Sequence, residues 1–219
     1  MSVTKTPRSG TTTSRAKTAD ARKKQVVTEF RRSEILLAAT KVFGAKGYDG
    51  TRMDDIAEEA GMAKATVYVY FRSKDEIYVQ VVEQALAELA ALTEQHIAAA
   101  KDFAGRLGAF ISVRLSYWRE KQTLYRVISS LSREISSRKR SLKWQKQTVD
   151  YLVSLFSAAA ESGEIERQDF EASAWALMDM IRGISDRRIV QYERSSEEEV
   201  RFLTEFILKA LGCRRAAGS

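Results

Sequence analysis

The chain has 219 residues, of which 44% are hydrophobic and 30% are charged, and it carries a formal net charge of +7. This length allows one domain or two small ones with a real hydrophobic core, and this composition excludes an intrinsically disordered chain. No apolar run approaches the roughly 20 residues of a bilayer-spanning helix, and the N-terminus lacks the apolar segment of a secretory signal, so we expect a cytoplasmic protein without a membrane partner.

The chain contains one cysteine, Cys213, and one histidine, His96. A single cysteine excludes a disulfide within the chain, and a single histidine argues against most zinc sites and Ser-His-Asp triads. We therefore expect no metal, no cofactor and no enzymatic activity. Cys213 could be a redox-sensitive thiol, but we do not favour that role because no second cysteine is present to resolve an oxidised one.

The excess positive charge lies at the N-terminus. Residues 1–28 contain seven basic residues and one acid, whereas residues 75–219 contain 21 of each. A polar segment without hydrophobic periodicity is expected to be disordered in isolation and to be attracted to a polyanion. We predict that residues 1–28 form a disordered basic arm, with a solubilising or cloning-derived tail as the alternative.

The rest of the chain is expected to be helical, because its only proline is Pro7 and the residues after it are mostly Ala, Glu, Leu, Lys and Arg. A first helix is predicted from Glu29 until glycines end it at residues 44–47. Thr51 and Asp54 have the spacing of a capping box. A short second helix is therefore predicted from Arg52 to Ala60.

Gly61 supplies the left-handed residue at which a chain can leave a helix and turn sharply, and a third helix is predicted from Lys64 to Phe71. A long fourth helix begins after Ser73 and ends near residue 100, and we expect it to connect two subdomains. Further helices are predicted at about 103–118, 123–135, 141–161, 169–192 and 196–211, which makes about nine helices in all.

The second and third helices, joined by a turn and braced by the first helix, form a helix-turn-helix. The exposed side of the third helix can enter the major groove of DNA, which is about as wide as a helix. Four carboxylates on the second helix would repel phosphate, so the third helix is expected to be the reading helix. At its N-terminal end, Lys64, Ala65 and Thr66 would reach base edges.

The same region resembles the DNA-binding domain of the TetR family of bacterial transcriptional regulators over residues 29–89. The matching residues are Ile35, Ala38, Ala39, Phe43, Gly47, Tyr48, Thr51, Asp55, Ile56, Ala57, Ala60, Gly61, Thr66, Val67, Tyr68, Phe71, Ser73 and Lys74. The resemblance implies a helix-turn-helix at about 52–71, and a helical ligand-binding and dimerisation domain over residues 90–219. It also implies a homodimer built on the last two helices and repression that a small molecule relieves.

Roles carried over by position divide the candidate DNA contacts into two sets. Positions that resemble phosphate contacts are occupied by Thr51, Arg52, Tyr68, Tyr70 and Lys74. Positions that resemble base-reading residues are occupied by Lys64, Ala65 and Thr66. The chain departs from the family at Ala63, where a Ser or Thr cap is frequent, at Ala65, where Gly is frequent, and at Tyr70, where His is common.

The C-terminal half is rich in aromatic residues at helical spacing. Core packing explains many of them, but tyrosine and tryptophan also suit a cavity in which the ring is buried and the polar atom is bonded. The candidate lining residues are Tyr117, Trp118, Tyr125, Trp144, Tyr151, Trp175 and Met178. Arg114, Arg119, Arg126 and Arg182 could bind an anionic ligand group, although we favour surface ion pairs for them.

Broad apolar stripes on the last two helices predict a two-fold interface between copies of the chain. The candidate interface residues are Phe170, Ala174, Leu177, Ile181, Ile184, Val200, Leu203 and Ile207.

These features predict a ligand-responsive repressor that binds a palindromic operator as a homodimer. A small, largely hydrophobic or aromatic effector would release it from the DNA. The alternatives are a transcriptional activator of the same fold, a protein that binds DNA without sequence preference, and an enzyme whose catalytic residues the pattern does not reveal.

Overall fold

A computed structural model describes the backbone of residues 11–132, 135–190 and 195–213, and the side chains of residues 20–129, 139–188 and 195–213. Nine helices lie in these ranges and no strand does, which confirms the predicted all-α fold. The helices are α1 (Thr11–Gly50), α2 (Met53–Glu59), α3 (Lys64–Tyr70), α4 (Lys74–Ala98), α5 (Phe103–Glu120), α6 (Gln122–Ser132), α7 (Ile135–Glu161), α8 (Phe170–Val190) and α9 (Ser196–Ala210). None of these described helices has the length and hydropathy of a membrane span.

The first helix extends further towards the N-terminus than the sequence pattern indicated. We predicted a helix from Glu29, yet α1 begins at Thr11 and is interrupted only at Gly47, whose φ is 71°. Residues 11–28 contain no proline or glycine and several Ala, Lys and Arg, which favour helix. Residues 20–27 are exposed, so this part of α1 has no packed face that an apolar pattern could reveal. Residues 1–10 of the predicted arm lie outside the described residues.

Packing divides the chain into two units, Met1–Val81 and Val82–Ser219, and α4 runs through both. We predicted the domain boundary at residue 89, further along the same helix. In the first unit α1, α2 and α3 pack on one another around fully buried Ile35, Phe43, Ile56, Val67 and Phe71. This core leaves one side of the short α3 in solvent.

The turn between α2 and α3 depends on Gly61, whose φ is +63°. The Gly61 amide donates to the Glu58 carbonyl at 3.0 Å, and the Met62 amide donates to the Ala57 carbonyl at 2.9 Å, so the free carbonyls at the end of α2 are satisfied. As the sequence indicated, Ala63 gives α3 no side-chain cap. At the other end of α3, Arg32 donates to the Tyr70 carbonyl at 2.8 Å.

The second unit is built around α5, which packs on α6, α8 and α9, while α7 packs on α8. Phe103 of α5 meets Phe156 of α7 edge to face, with ring centroids 5.9 Å apart. Ser195 and Glu198 form a capping box at the start of α9. Arg188 of α8 pairs with Glu199 of α9, both largely buried, and also donates to the Leu115 carbonyl of α5 at 3.0 Å. This bonding ties three helices together.

Gly61 is the first target for a stability test, because a side chain there meets no atom within 4 Å and the cost of adding one is purely conformational. We expect Gly61→Ala to lower the free energy of unfolding by about 1–2 kcal/mol, the cost of the left-handed conformation for an L-residue. Urea denaturation followed by circular dichroism measures this change. Gly50→Ala is the matched control, since its Cβ would meet only Lys46 Cβ at 3.7 Å and the backbone allows it. Equal losses in both variants would contradict the expectation.

Candidate nucleic-acid interface and ligand cavity

The exposed face of α3 consists of Lys64, Ala65, Tyr68 and Val69. These residues lie on one side of the helix, opposite Val67, which is fully buried against the rest of the unit. Thr66 and Tyr70 are half-buried at the edges of this face. Most of the predicted DNA-contacting residues of α3 are therefore brought together on one accessible surface.

Val69 belongs to this face although sequence reasoning did not select it. Its side chain is 78% exposed, the largest exposed fraction among the described large hydrophobic residues. A side chain this exposed contributes little to the hydrophobic core. The place of Val69 on the side of α3 away from the packed Val67 is the signal that could have identified it as a candidate DNA contact. An exposed apolar side chain suits contact with a thymine methyl group.

Lys64 is paired within the chain rather than free. Its Nζ lies 2.8 Å from Asp54 Oδ1 and 2.9 Å from Asp54 Oδ2, and both side chains are more than half exposed. Hydrogen bonding to Asp54 raises the pKa of Lys64. Since exposed ion pairs contribute little to stability, Lys64 can exchange Asp54 for a phosphate or base at small cost.

Two further acids of α2, Asp55 and Glu59, are also paired with lysines. Lys46 donates to Asp55 Oδ1 at 2.6 Å, and this bond lowers the pKa of Asp55. Lys41 lies 3.2 Å from Glu59 Oε1. The repulsion between α2 and phosphate that the sequence predicts is therefore reduced by lysines from α1.

Thr51 does not occupy the role predicted for it. Its side chain is buried, its hydroxyl donates to the Gly47 carbonyl at 2.6 Å, and its amide donates to the Tyr48 carbonyl at 3.2 Å. The predicted phosphate contact by this hydroxyl is wrong, because its proton is already used. The predicted capping box is one residue out of register as well: Arg52 is the N-cap of α2, and its amide donates to Asp55 Oδ2 at 2.7 Å.

The remaining predicted phosphate contacts are Arg52 and Lys74, and they differ in exposure. Arg52 is exposed beside the start of α2. Lys74 is half-buried, donates from Nζ to the Tyr48 carbonyl at 2.7 Å, and lies 4.3 Å from the centroid of the Tyr48 ring. The Lys74 ammonium is thus held at the N-terminus of α4, a position that favours an anion. Contact of either residue with DNA stays a prediction.

A cavity of about 120 Å³ lies in the second unit between α4, α5, α6, α7 and α8. Trp118, Tyr125, Trp144 and Met178 line it, together with aliphatic side chains of α4, α6 and α8. Trp118 and Tyr125 pack with ring centroids 5.5 Å apart. The Tyr125 hydroxyl donates to Asp186 Oδ1 at 2.8 Å, and burial raises the pKa of Tyr125.

The other predicted lining residues lie elsewhere. Tyr151 lines a second, adjoining cavity of about 240 Å³. Tyr117 is buried beside Leu89 and its hydroxyl lies 3.0 Å from Glu88 Oε2, whereas Trp175 packs against the main core of the unit. Among the described residues that line the two cavities, neither Tyr117 nor Trp175 is found.

The four arginines considered as anion contacts fall into two classes. Arg119 hydrogen-bonds Ser196, Arg182 pairs with Asp179, and both are exposed together with Arg126. Arg182 also lines the first cavity. Arg114 is different, because it is buried and lines both cavities. The surface role that we favoured for this residue is wrong.

The predicted dimer-interface stripes turn inwards. Ala174, Leu177, Ile181 and Ile184 of α8, like Leu203 and Ile207 of α9, are buried in the core of their own unit, and Phe170 and Val200 pack partly buried against it. A side chain buried within one subunit cannot meet a partner, so the assignment is wrong for these six buried residues. For Phe170 and Val200 it stays a prediction. An apolar stripe indicates that one side of a helix is buried. It does not indicate whether the same subunit or a partner subunit buries it. The apolar side chains left exposed on α9 are Phe202 and Phe206.

Residues 35–81 match the profile of the bacterial regulatory proteins of the TetR family. Residues 35–81 are therefore similar to the DNA-binding region of this family. It is 33% identical over 98 residues to the HTH-type transcriptional activator FasR of Mycolicibacterium smegmatis, a match that covers 45% of each protein. It is 44% identical over 52 residues to the negative transcriptional regulator IcaR of the Staphylococcus aureus biofilm operon icaADBC, which covers 24% of this chain and 28% of IcaR.

The similarity to these curated relatives spans less than half of their length. Solved structures match over more of the chain. The TetR-family regulator PfmR from Thermus thermophilus is 25% identical with a TM-score of 0.65, covering 83% of this chain and 99% of that one. The fatty acid degradation regulator FadR from Bacillus halodurans is 18% identical with a TM-score of 0.74, covering 84% and 97%, and shows that the fold is shared.

Asp54 offers a test of the Lys64 arrangement in this domain. We expect Asp54→Asn to strengthen binding to duplex DNA about twofold to fivefold at low salt, because it frees Lys64 and removes a negative charge beside the reading face. Stability should change by less than about 1 kcal/mol, as for exposed ion pairs. Fluorescence anisotropy with a labelled duplex measures the affinity. Glu161→Gln, an exposed neutralisation in the second unit, should leave it unchanged; weaker binding by Asp54→Asn would contradict the expectation.

Proposed function

We propose that this chain is a TetR-family regulator, a ligand-responsive transcriptional repressor that binds a palindromic operator as a homodimer. The observation that carries the proposal is the exposed face of α3, on which Lys64, Ala65, Tyr68 and Val69 are accessible together. A helix held by one packed side and presenting short polar and apolar groups on the other fits the major groove.

The basic part of α1 supplies a second contact in this proposal. Arg22, Lys23 and Lys24 are exposed on the N-terminal extension of the helix. Each cation that neutralises a phosphate releases a counterion and makes binding more sensitive to salt. Residues 1–28 therefore contribute affinity without sequence preference, whereas α3 contributes the sequence preference.

The exposed side of α9 supports the homodimer. Phe202 is 57% exposed and Phe206 is 48% exposed, and their rings stack with centroids 6.1 Å apart. Two adjacent solvated aromatic rings are costly unless a partner covers them. Pairing of this surface about a two-fold axis would keep two copies of α3 at a fixed separation. Two half-sites about 34–36 Å apart require such a separation.

Response to an effector would pass along α4. Leu86 and Leu89 of this helix line both cavities, and the same helix begins at Lys74 in the first unit. An effector that fits one position of α4 better than another shifts the population of the two. We infer that the occupied cavity favours the state in which the two reading helices no longer match the operator spacing.

The name of FasR favours a second candidate, an activator of the same fold, since FasR is called an activator and IcaR a negative regulator. The two functions share the DNA-binding step and differ in where the operator lies relative to the promoter. Transcription in vitro from a promoter that carries the selected site, with and without the protein, distinguishes them. Reduced transcript supports repression, and increased transcript supports activation.

Selection of bound sequences from a random duplex pool, at two salt concentrations, tests the DNA-binding function. We expect one palindrome with half-sites about one helical turn apart, and a steep fall of affinity with salt. Deleting residues 1–28 should reduce the slope of log affinity against log salt by several units while the selected sequence stays the same. Recovery of no preferred sequence would overturn the operator proposal in favour of general DNA binding. An unchanged slope would remove the role assigned to residues 1–28.

Replacing both exposed phenylalanines tests the dimer. We expect Phe202→Ser combined with Phe206→Ser to raise the dimer dissociation constant by at least about tenfold, because well-packed aromatic side chains dominate interface energies. Sedimentation velocity at micromolar concentration measures the association. Leu142→Ser is the control, since Leu142 is a similarly exposed apolar residue on α7. A wild-type chain that sediments as a monomer, or a double variant that still dimerises normally, would contradict this surface.

A further inference from the structure

Arg114 is a buried cation without a charged partner. It lies on α5 with 6% of its surface exposed, donates from Nη1 to Thr93 Oγ1 at 3.0 Å, and stacks over the Phe110 ring at 3.5 Å from the centroid. Within the described residues, no carboxylate forms an ion pair with it. Burying a guanidinium with one neutral hydrogen bond and no charged partner costs free energy that the surrounding packing has to offset.

The guanidinium is charged and has donors to spare. Burial lowers the pKa of Arg114 to about 9, so the side chain remains protonated at neutral pH. A guanidinium has five N–H donors in a planar fork, and Thr93 accepts only one of them. Arg114 lines both cavities, so a ligand bound there is within reach of donors that Thr93 does not use.

The two cavities that meet at Arg114 differ in polarity. The first is lined mainly by apolar side chains such as Val82, Met178 and Ile181, although Arg182 and several small polar residues also line it. The second has a larger polar share, from side chains such as Thr93, Gln147 and Tyr151. Leu86, Leu89, Arg114, Trp144 and Thr148 line both, so the cavities adjoin and the cation stands at their boundary.

We propose that the effector is an amphiphile with one carboxylate, bound by the Arg114 guanidinium, and with an apolar body in the first cavity. This inference rests on the proposed ligand response and names the chemistry of its ligand. A carboxylate matches the guanidinium fork through two parallel hydrogen bonds. One negative charge balances the one unpaired positive charge, whereas a more highly charged group would also meet Glu94, which lines the second cavity and is exposed.

The probes that test this proposal share one chain and differ only in the head group: decanoate, 1-decanol and decylamine. We expect the wild-type chain to bind decanoate at least about tenfold more tightly than decanol, and decylamine least tightly. Isothermal titration calorimetry measures the affinities in the absence of DNA. Quenching or shift of tryptophan fluorescence reports the site, because Trp118 and Trp144 line the cavity.

Arg114→Met should bring the decanoate and decanol affinities within about twofold of each other while decanol still binds, which shows that the cavity persists. The same variant should raise Tm without ligand, because it removes an unpaired buried charge. Arg114→Lys should keep part of the preference, since it retains charge but not the planar fork. Arg167→Met, which removes an exposed cation after α7, should behave as wild type.

Equal affinity of the wild type for decanoate and decanol would overturn the proposal, and so would a preference that survives in Arg114→Met or the failure of all three probes to bind. These outcomes are separate from the test of the proposed function. A chain that selects an operator but shows no preference for the carboxylate contradicts only the ligand chemistry. A chain that prefers decanoate but selects no operator contradicts only the proposed regulator.

Discussion

Burial of one side of α5 is the interaction on which the second unit depends. Phe103, Leu107, Phe110, Ile111 and Leu115 are all fully buried and contact the helices that surround them. Each such side chain contributes roughly 1.5–3 kcal/mol on burial, which is enough to hold a cation on the same helix away from water. The cost of burying Arg114 is therefore offset by its neighbours on α5, and its position next to the cavities is fixed by their packing.

In the first unit, by contrast, weak exposed ion pairs set the charge on the surface of α2 and α3. Lysines of α1 and α3 pair with three of the acids on α2. Such pairs add little stability, but they keep the surface near neutral until a stronger anion replaces a carboxylate. The dense positive charge of this unit lies instead in residues 1–28.

The fold could be predicted from the sequence because periodicity, glycines and the lack of proline all act locally. The turn at Gly61 and the missing cap at Ala63 depend on the residues at those positions alone. The sequence could not predict what covers the apolar stripes on α8 and α9. A hydrophobic side chain such as Leu177 packs equally well against its own subunit and against a second copy. Nor could Arg114 be recognised as buried, because an arginine inside a helix normally reaches solvent. The start of α1 could not be located because residues 20–27 pack against nothing and so carry no apolar period.

The helical state of residues 11–28 changes how far their charges can reach. A helix advances about 1.5 Å per residue, whereas an extended chain covers roughly 3.3–3.6 Å, so the helical segment spans less than half the distance that a loose arm could. Arg22, Lys23 and Lys24 therefore stand at fixed angles around a stiff rod instead of sampling a wide volume. A stiff rod favours contacts at a set distance along the duplex and loses little conformational entropy in making them.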